Sequence, residues 1–327
     1  MTQQEEEKKL IIAIDVTARC NLNCPSCIRG NLPLHQFTNA HLDPDVYEKL
    51  LQRIHSQMEV NDFNKLAIWL YNWTEPLLHM RLNEIIAISK KYANYVAISS
   101  NFSFPSGKTK MIRKMLDAEP SAVKISVSGF TQDVHVVDHA KGNIEHVKEN
   151  IAWAADYVKT SGVDIRKFEV GYHLYNYNLG EEATRMGEFC AEHGVEFRPY
   201  LAYLSPLENT FDSIEGKANA VVEEVQKRLL IAPPEVYEQM KSLPDFRKCN
   251  LRDGMVTLDV DLNVYLCCRT YNQILKTNIM ENSLTEMFEE KQKSAFCKKC
   301  ISYKQNQLWN PCIAVHMDKL TKEALAK

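Results

Sequence analysis

Thr17-Ala18-Arg19-Cys20-Asn21-Leu22-Asn23-Cys24-Pro25-Ser26-Cys27 places three cysteines within eight residues. That is one ligand short. A closed structural zinc site or a cubane iron–sulfur cluster usually takes four protein ligands, so three thiolates on one loop leave a coordination position open to a substrate or cofactor. The run directly follows residues 10–16, a short apolar stretch that reads as a buried strand. In parallel α/β folds the chemistry sits at the carboxyl ends of the strands. The cysteine loop is therefore at the functional end of whatever sheet this strand joins.

Working outward, strands and helices alternate. Asp43-Pro44-Asp45 puts acids and a proline in the first turn of a helix reaching about residue 58. Residues 66–71 read as a strand and 82–92 as a helix. The alternation repeats at 95–99 and 108–116, at 123–127 and 142–159, and at 168–173 and 181–193, and residues 195–202 make a sixth strand. Gly194 is a glycine stop for the helix before that strand. Six such units predict a parallel sheet with helices outside it. They fit either an open doubly wound sheet or an incomplete barrel, and periodicity alone does not choose.

Residues 1–9 are a charged tail. Residues 203–245 change character and read as a linker: loop-like at 204–209, a charged amphipathic helix over 213–230, a break at Ala232-Pro233-Pro234, then a short helix to about 243. A small α+β cysteine-rich module follows over 246–327. In it, 256–259 and 264–267 alternate like a hairpin around Asp261-Leu262-Asn263, and 283–292 is a helix with Ser283 as cap and Glu286 three residues on.

The 327 residues are 45% apolar and 25% charged, ordinary for a soluble globular protein. A net charge of -3 gives no basic surface for nucleic acid or an anionic membrane. No stretch approaches the roughly 20 apolar residues that span a bilayer, and the start does not resemble a signal peptide. A cytoplasmic location is expected, and there ten cysteines point to metal binding or catalysis rather than disulfides. Three lie at 20–27 and six at 249–312; Cys190, between them on a helical segment, reads as a small buried hydrophobe.

The cysteine run, at the end of a first strand, closely resembles that of the radical S-adenosylmethionine (SAM) superfamily. The resemblance implies an incomplete (β/α)6 TIM-like barrel over residues 10–202. It implies a [4Fe–4S] cluster on Cys20, Cys24 and Cys27, with SAM chelating the fourth iron. An external one-electron donor such as flavodoxin or ferredoxin would drive SAM cleavage to a 5′-deoxyadenosyl radical, which abstracts a hydrogen atom from an unactivated C–H bond. The protein positions the cofactor and excludes competing reactions.

Further landmarks follow in order. Tyr71-Asn72-Trp73-Thr74-Glu75-Pro76 resembles the family's Gly-Gly-Glu-Pro motif. This implies that Asn72, Trp73, Thr74, Glu75 and Pro76 surround the SAM ammonium, with Glu75 as its acceptor. Trp73 and Thr74 replace the two glycines, and a capping role for Glu75 is the alternative. Ser99-Ser100-Asn101 resembles a Thr-Asn-Gly turn, and Ser126-Val127-Ser128-Gly129 resembles Ser-Leu-Asp-Gly. These imply SAM contacts from Asn101, Ser126 and Ser128, with Ser126 preferred to Ser128; Asn101 and Ser126 equally suit plain turns. His173 and Tyr200 stand where substrate or ribose contacts come in the family, although a lone histidine is more often structural. Ser26 stands where the family often has an aromatic residue near adenine. His135 and His139 lie on the loop after strand four, a place that could face substrate, and solvent exposure is the expectation.

Cys249, Cys267, Cys297 and Cys300 form C-x17-C, a gap, then C-x2-C. Within the gap, Asn282-Ser283-Leu284-Thr285-Glu286-Met287-Phe288 resembles the stretch before the last cysteine pair of SPASM and twitch modules. The resemblance implies one auxiliary [4Fe–4S] cluster, fully held by four thiolates and serving as an electron acceptor. A structural zinc ribbon uses the same spacing. Leu262-Asn263 replaces the usual hairpin glycine. Neighbours on a strand point to opposite faces, so Cys267 rather than Cys268 is the expected ligand. Cys268 and Cys312 are left over as candidate hydrogen-atom donors, with Cys312 equally open as a fifth ligand of a rearranged cluster or as an inert thiol.

Two reactions are then expected to compete: dehydrogenation, with the auxiliary cluster taking an electron, and epimerisation, with a cysteine returning a hydrogen atom. Strand one begins at about residue 10, without the leader-binding segment that often precedes the barrel in peptide-modifying relatives. This favours a small polar substrate such as an aminosugar or cyclitol over a peptide. A non-catalytic iron–sulfur or zinc electron-transfer protein is the reading from another class.

Overall fold

The computed structural model describes residues 8–31, 39–105, 109–242, 247–309 and 320–325. The six apolar runs become parallel strands: β1 (Lys9–Ile14), β2 (Lys65–Trp69), β3 (Tyr95–Ser100), β4 (Ala122–Val127), β5 (Lys167–Leu174) and β6 (Glu196–Leu201). They lie in the order β6-β5-β4-β3-β2-β1. A doubly wound sheet reverses its order at a switch point. Over these six strands the order never reverses, and β6 does not pair back to β1, so the architecture is an incomplete barrel.

The connecting helices are α1 (Pro44–Met58), α2 (Leu82–Tyr92), α3 (Thr109–Asp117), α4 (Gln132–Asp138), α5 (Ile144–Ser161) and α6 (Glu181–His193). Asp43 caps α1 by accepting from the amides of Asp45 and Val46. Gly194 ends α6 in the left-handed region, φ 69°. The segment expected to be a loop after β4 instead forms α4. It carries His135 and closes at His139, and both rings are buried rather than exposed.

Strand alternation splits the interior in two. Leu10, Ile12 and Ile14 face outward into a core shared with Tyr47, Leu50, Leu51 and Ile54 of α1, all essentially inaccessible to solvent. Cys190 joins this core as a fully buried hydrophobe. Ile11 and Ala13 face the other way, into the lumen. Fully burying one large aliphatic side chain contributes about 1.5–3 kcal/mol. The strand–helix layer thus holds the main hydrophobic core and leaves the lumen face free for polar residues.

Residues 207–240 differ from expectation. In place of one helix over 213–230 there are α7 (Leu207–Ile214) and α8 (Ala220–Gln226), followed by α9 (Pro233–Met240). Gly216, φ 68°, separates the first two, and Asn219 caps the second through the amides of Val221 and Val222. Beyond α10 (Asn250–Gly254), the predicted hairpin forms as β7 (Met255–Leu258) and β8 (Val264–Tyr265), with β9 (Ile274–Lys276) outside it. β7 pairs in parallel with β1, from Ile11↔Met255 to Ile14↔Leu258, so one nine-stranded sheet runs through both cysteine regions. Leu262 occupies the hairpin position with φ 65°. This left-handed conformation costs a non-glycine residue about 1–2 kcal/mol. Asp259 offsets part of it by accepting from the amides of Asp261 and Asn263. The last helices are α11 (Leu284–Lys293), with the predicted Ser283–Glu286 capping box, and α12 (Ala295–Ser302). Among the described residues no helix is long and apolar enough to cross a membrane.

Candidate active site

The first cysteine loop is tied down on several sides. The Cys27 amide donates to the Cys24 carbonyl and the Gly30 amide to the Cys27 carbonyl, both at 3.1 Å. The Asn23 amide donates to Ala140 at 3.0 Å. Asn21 donates to the Ser103 carbonyl at 2.8 Å and accepts from the Asn101 side chain at 2.9 Å. Gly30 has no room for a side chain, since a Cβ there would stand 1.9 Å from the Cys24 carbonyl oxygen. Gly30→Ala should therefore open the loop and lower the iron it binds several-fold, read as iron per chain after anaerobic reconstitution; an unchanged content would show that the turn is not needed.

The missing anchor is Asp15, one residue past β1. Its Oδ1 accepts from the amides of Asn72 at 3.0 Å, Trp73 at 3.1 Å and Thr74 at 3.1 Å, and from the Thr74 hydroxyl at 2.7 Å. One carboxylate thus shapes the whole turn after β2. Burial pushes its pKa up to about 6, and the bonds from Thr74, Trp73 and Asn72 pull against that. Sequence reasoning passed over it; the signal was an acid ending an apolar run.

Glu75 caps the next turn. Its Oε1 accepts from the Leu77 amide at 3.0 Å and its Oε2 from the Asn101 amide at 2.8 Å. The capping alternative is realised, and the Ser100 side chain bonds to the same carboxylate. Burial lifts its pKa to about 7. Asn72 Nδ2 and Ser128 Oγ, by contrast, are buried without a hydrogen-bond partner among the described residues. Trp73, in place of a glycine, reaches the C-terminal region: its Nε1 donates to the Cys268 carbonyl at 3.2 Å, and its ring meets Tyr265 edge-on at 4.7 Å. The Cys27 thiol faces the Trp73 carbonyl at 3.9 Å, so this residue bridges the two cysteine groups.

The lumen is polar. On β4, Lys124 and Ser126 alternate with the buried Val123, Ile125 and Val127. Ser126 Oγ lies 3.4 Å from Ser99 Oγ, and the Tyr200 hydroxyl 2.7 Å from His173 Nε2. Lys124 Nζ sits 4.2 Å from the Tyr200 ring centre and pairs with no carboxylate of the described residues. Gly171 makes way for it, since a Cβ there would meet Lys124 Cε at 2.3 Å. Burial lowers the Lys124 pKa to about 8 and holds that of His173 well down. Near the cysteine loop, Ser26 donates to Asp138 at 2.5 Å, and the Tyr175 hydroxyl bonds to both. The ring that Ser26 lacks is thus brought alongside by Tyr175, stacked on Tyr177 at 5.3 Å. Lys124, Asp138 and Tyr175 escaped the sequence reading; the period-two pattern on β4 was the available signal for the first.

The second group assembles five described thiols. Cys249 precedes α10, Cys297 and Cys300 lie on α12, and Cys249, Cys267 and Cys268 pack around Met255, Leu251 and Ala13 on the lumen side. Cys267 and Cys268 lie beyond β8, not on it, so strand alternation does not separate them. Their thiols are hydrogen-bonded, Cys268 to Cys267, which holds Cys267 down to about 7 and drives Cys268 up. Cys312 lies outside the described residues.

Do these residues fit iron–sulfur clusters? In the first loop Cys20 is pushed up to about 12 by burial and Glu75, Cys24 is raised by burial and by Cys27, and Cys27 by burial. All described cysteines are free thiols. A metal cation reverses that logic, deprotonating thiols held together out of water. Among the described residues no three such side chains converge as tightly as ligands of a single ion. A cluster does not require this, since each thiolate binds its own iron. The donor chemistry fits a cluster at both places.

Comparison with known proteins places the first part. Residues 14–166 match the radical SAM superfamily. These residues are a radical SAM domain. Most of the chain also resembles solved structures. SuiB from Streptococcus suis bound to S-adenosylmethionine shares 11% identity with a TM-score of 0.55, over 86% of this chain and 66% of SuiB. Its complex with the precursor peptide SuiA gives 13%, 0.54, 86% and 65%. AnSMEcpe with bound AdoMet gives 15%, 0.52, 87% and 82%. At such identities the likeness is one of fold, and it extends past the radical SAM domain. No curated protein matches the chain.

Proposed function

We propose that this radical SAM enzyme dehydrogenates a small polar substrate, such as an aminosugar or cyclitol, in the lumen between its two cysteine groups. In this reading residues 10–202 are the catalytic barrel, 203–245 a linker and 246–327 a module holding one auxiliary [4Fe–4S] cluster. The observation that carries it is the packing of Cys249, Cys267 and Cys268 around Ala13 on the lumen face of β1, in a lumen that is otherwise lined by the polar residues Lys124, Ser126, His173 and Tyr200.

Cys20, Cys24 and Cys27 would hold the first cluster; bound there, cluster and SAM supply a radical that abstracts a hydrogen atom. The chain's residues do the rest. Asn72 Nδ2 and Ser126 would orient SAM, Glu75 would accept from its ammonium, and Tyr175 would face its adenine. Lys124 and the Ser99 hydroxyl would hold substrate hydroxyls. Loss of two hydrogens from a carbon–heteroatom bond means one hydrogen atom, one proton and one electron. The proton would leave to the polar groups and water of the lumen, and a cluster held by the second cysteine group would take the electron.

Turnover in deuterated water tests this against epimerisation by a cysteine donor. A product two hydrogens lighter and free of carbon-bound deuterium is expected; deuterium at carbon in a product of unchanged composition would refute dehydrogenation. A peptide substrate is the second reading, since SuiB binds one. For the substrate found in a metabolite screen, Lys124→Met should raise KM about tenfold, the weight of one charge-assisted hydrogen bond of ~1.4 kcal/mol. The Lys124 ammonium is lost as pH rises through about 8, so kcat/KM should fall above that pH. Lys124→Arg should move the fall upward, and an unmoved limb would remove Lys124 from substrate binding.

A further inference from the structure

A second lysine is harder to explain by folding alone. Lys291, on α11, has 0% of its surface exposed. Its Nζ donates to the Met255 carbonyl at 2.5 Å, which uses one of three N–H bonds. The ammonium lies over the Phe288 ring at 5.8 Å and forms no ion pair with a carboxylate of the described residues. Burying an ammonium without a counter-ion costs several kcal/mol, and one carbonyl does not offset that. What surrounds it is sulfur. Met255 packs against Cys249, Cys267 and Cys268, and the ionisable groups facing Lys291 are Cys267, Cys297, Cys268 and Cys249. A hydrocarbon side chain would pack here at lower cost, so the charge calls for an anion among these thiols.

We propose that Lys291 is the internal counter-charge of the metal–thiolate group held by the second cysteine site, and that it raises that group's reduction potential. The inference rests on the auxiliary cluster proposed above. Four thiolates around a cubane leave a net negative charge that grows by one when the cluster gains an electron. A fixed positive charge nearby favours the reduced form. At an effective dielectric of about 20, a unit charge beside the group shifts the one-electron equilibrium by about tenfold or more, some 59 mV per factor of ten. Lys291 is thus a positioning residue acting through the cluster, and it makes the second site a better electron acceptor.

The test is redox titration of the reconstituted full-length protein, followed by electron paramagnetic resonance. Added SAM perturbs the spectrum of the open-site cluster and so marks the other signal as the auxiliary one. Lys291→Met and Lys291→Gln should lower the auxiliary potential by about 59 mV or more, while Lys291→Arg stays near the wild type. An unchanged potential in Met and Gln variants that still bind about eight irons would overturn the inference and leave the auxiliary cluster standing. An equal shift in Lys291→Arg would also overturn it, by showing that packing rather than charge is responsible. A wild type with about four irons would overturn the auxiliary cluster itself.

Discussion

Asp15→Ala should destabilise the metal-free protein by about 3–5 kcal/mol, read from urea unfolding. Its Oδ1 gathers the amides of Asn72, Trp73 and Thr74 together with the Thr74 hydroxyl. The side chain is 2% exposed, so water does not replace the lost acceptor. Each buried donor left unpaired costs about 1–3 kcal/mol, and removing a costly buried carboxylate returns part of that sum. Asp15→Asn keeps one oxygen in place and should lose less. Both changes should weaken SAM binding, because the turn after β2 would lose its shape. A loss below ~1 kcal/mol for alanine would mean that the turn holds itself.

Cys20→Ala should reduce reductive cleavage of SAM to background, a loss of several orders of magnitude rather than a partial one. In the proposed reading three thiolates hold the cluster with one iron left open, and two would not hold it. The residue also sets the loop locally, its sulfur accepting from the Leu22 amide at 3.5 Å. Cys268→Ala provides the contrast. It should leave SAM cleavage intact, because Cys268 belongs to the group on the far side of Trp73. Cleavage retained by Cys20→Ala would remove the first loop from the chemistry.

Much of this was legible in the chain, for local reasons. Helices α2 and α6 fall where apolar spacing and Gly194 put them, and Ser283 with Glu286 forms its capping box. The cysteine loop could be placed because it follows directly on β1. What stayed hidden depends on long-range contacts. Periodicity cannot tell a barrel from a doubly wound sheet; the pairing order does. Nothing local says that β7 adds to β1, or that Trp73 reaches Cys268 across 195 residues of sequence. His135 and His139 looked like loop residues until α4 buried them. Cys267 and Cys268 were parted by a strand rule that does not apply past the end of β8. Lys291 reads as one more polar residue on a charged helix until its burial is seen.

The most direct measurement is the yield of 5′-deoxyadenosine and methionine from SAM. The anaerobically reconstituted protein is reduced with dithionite, and the two products are quantified by mass spectrometry. The account predicts that the iron-loaded wild type forms both in equal amounts. A wild type that binds its full iron, takes up electrons and forms neither would contradict it, and would leave an iron–sulfur electron carrier in its place.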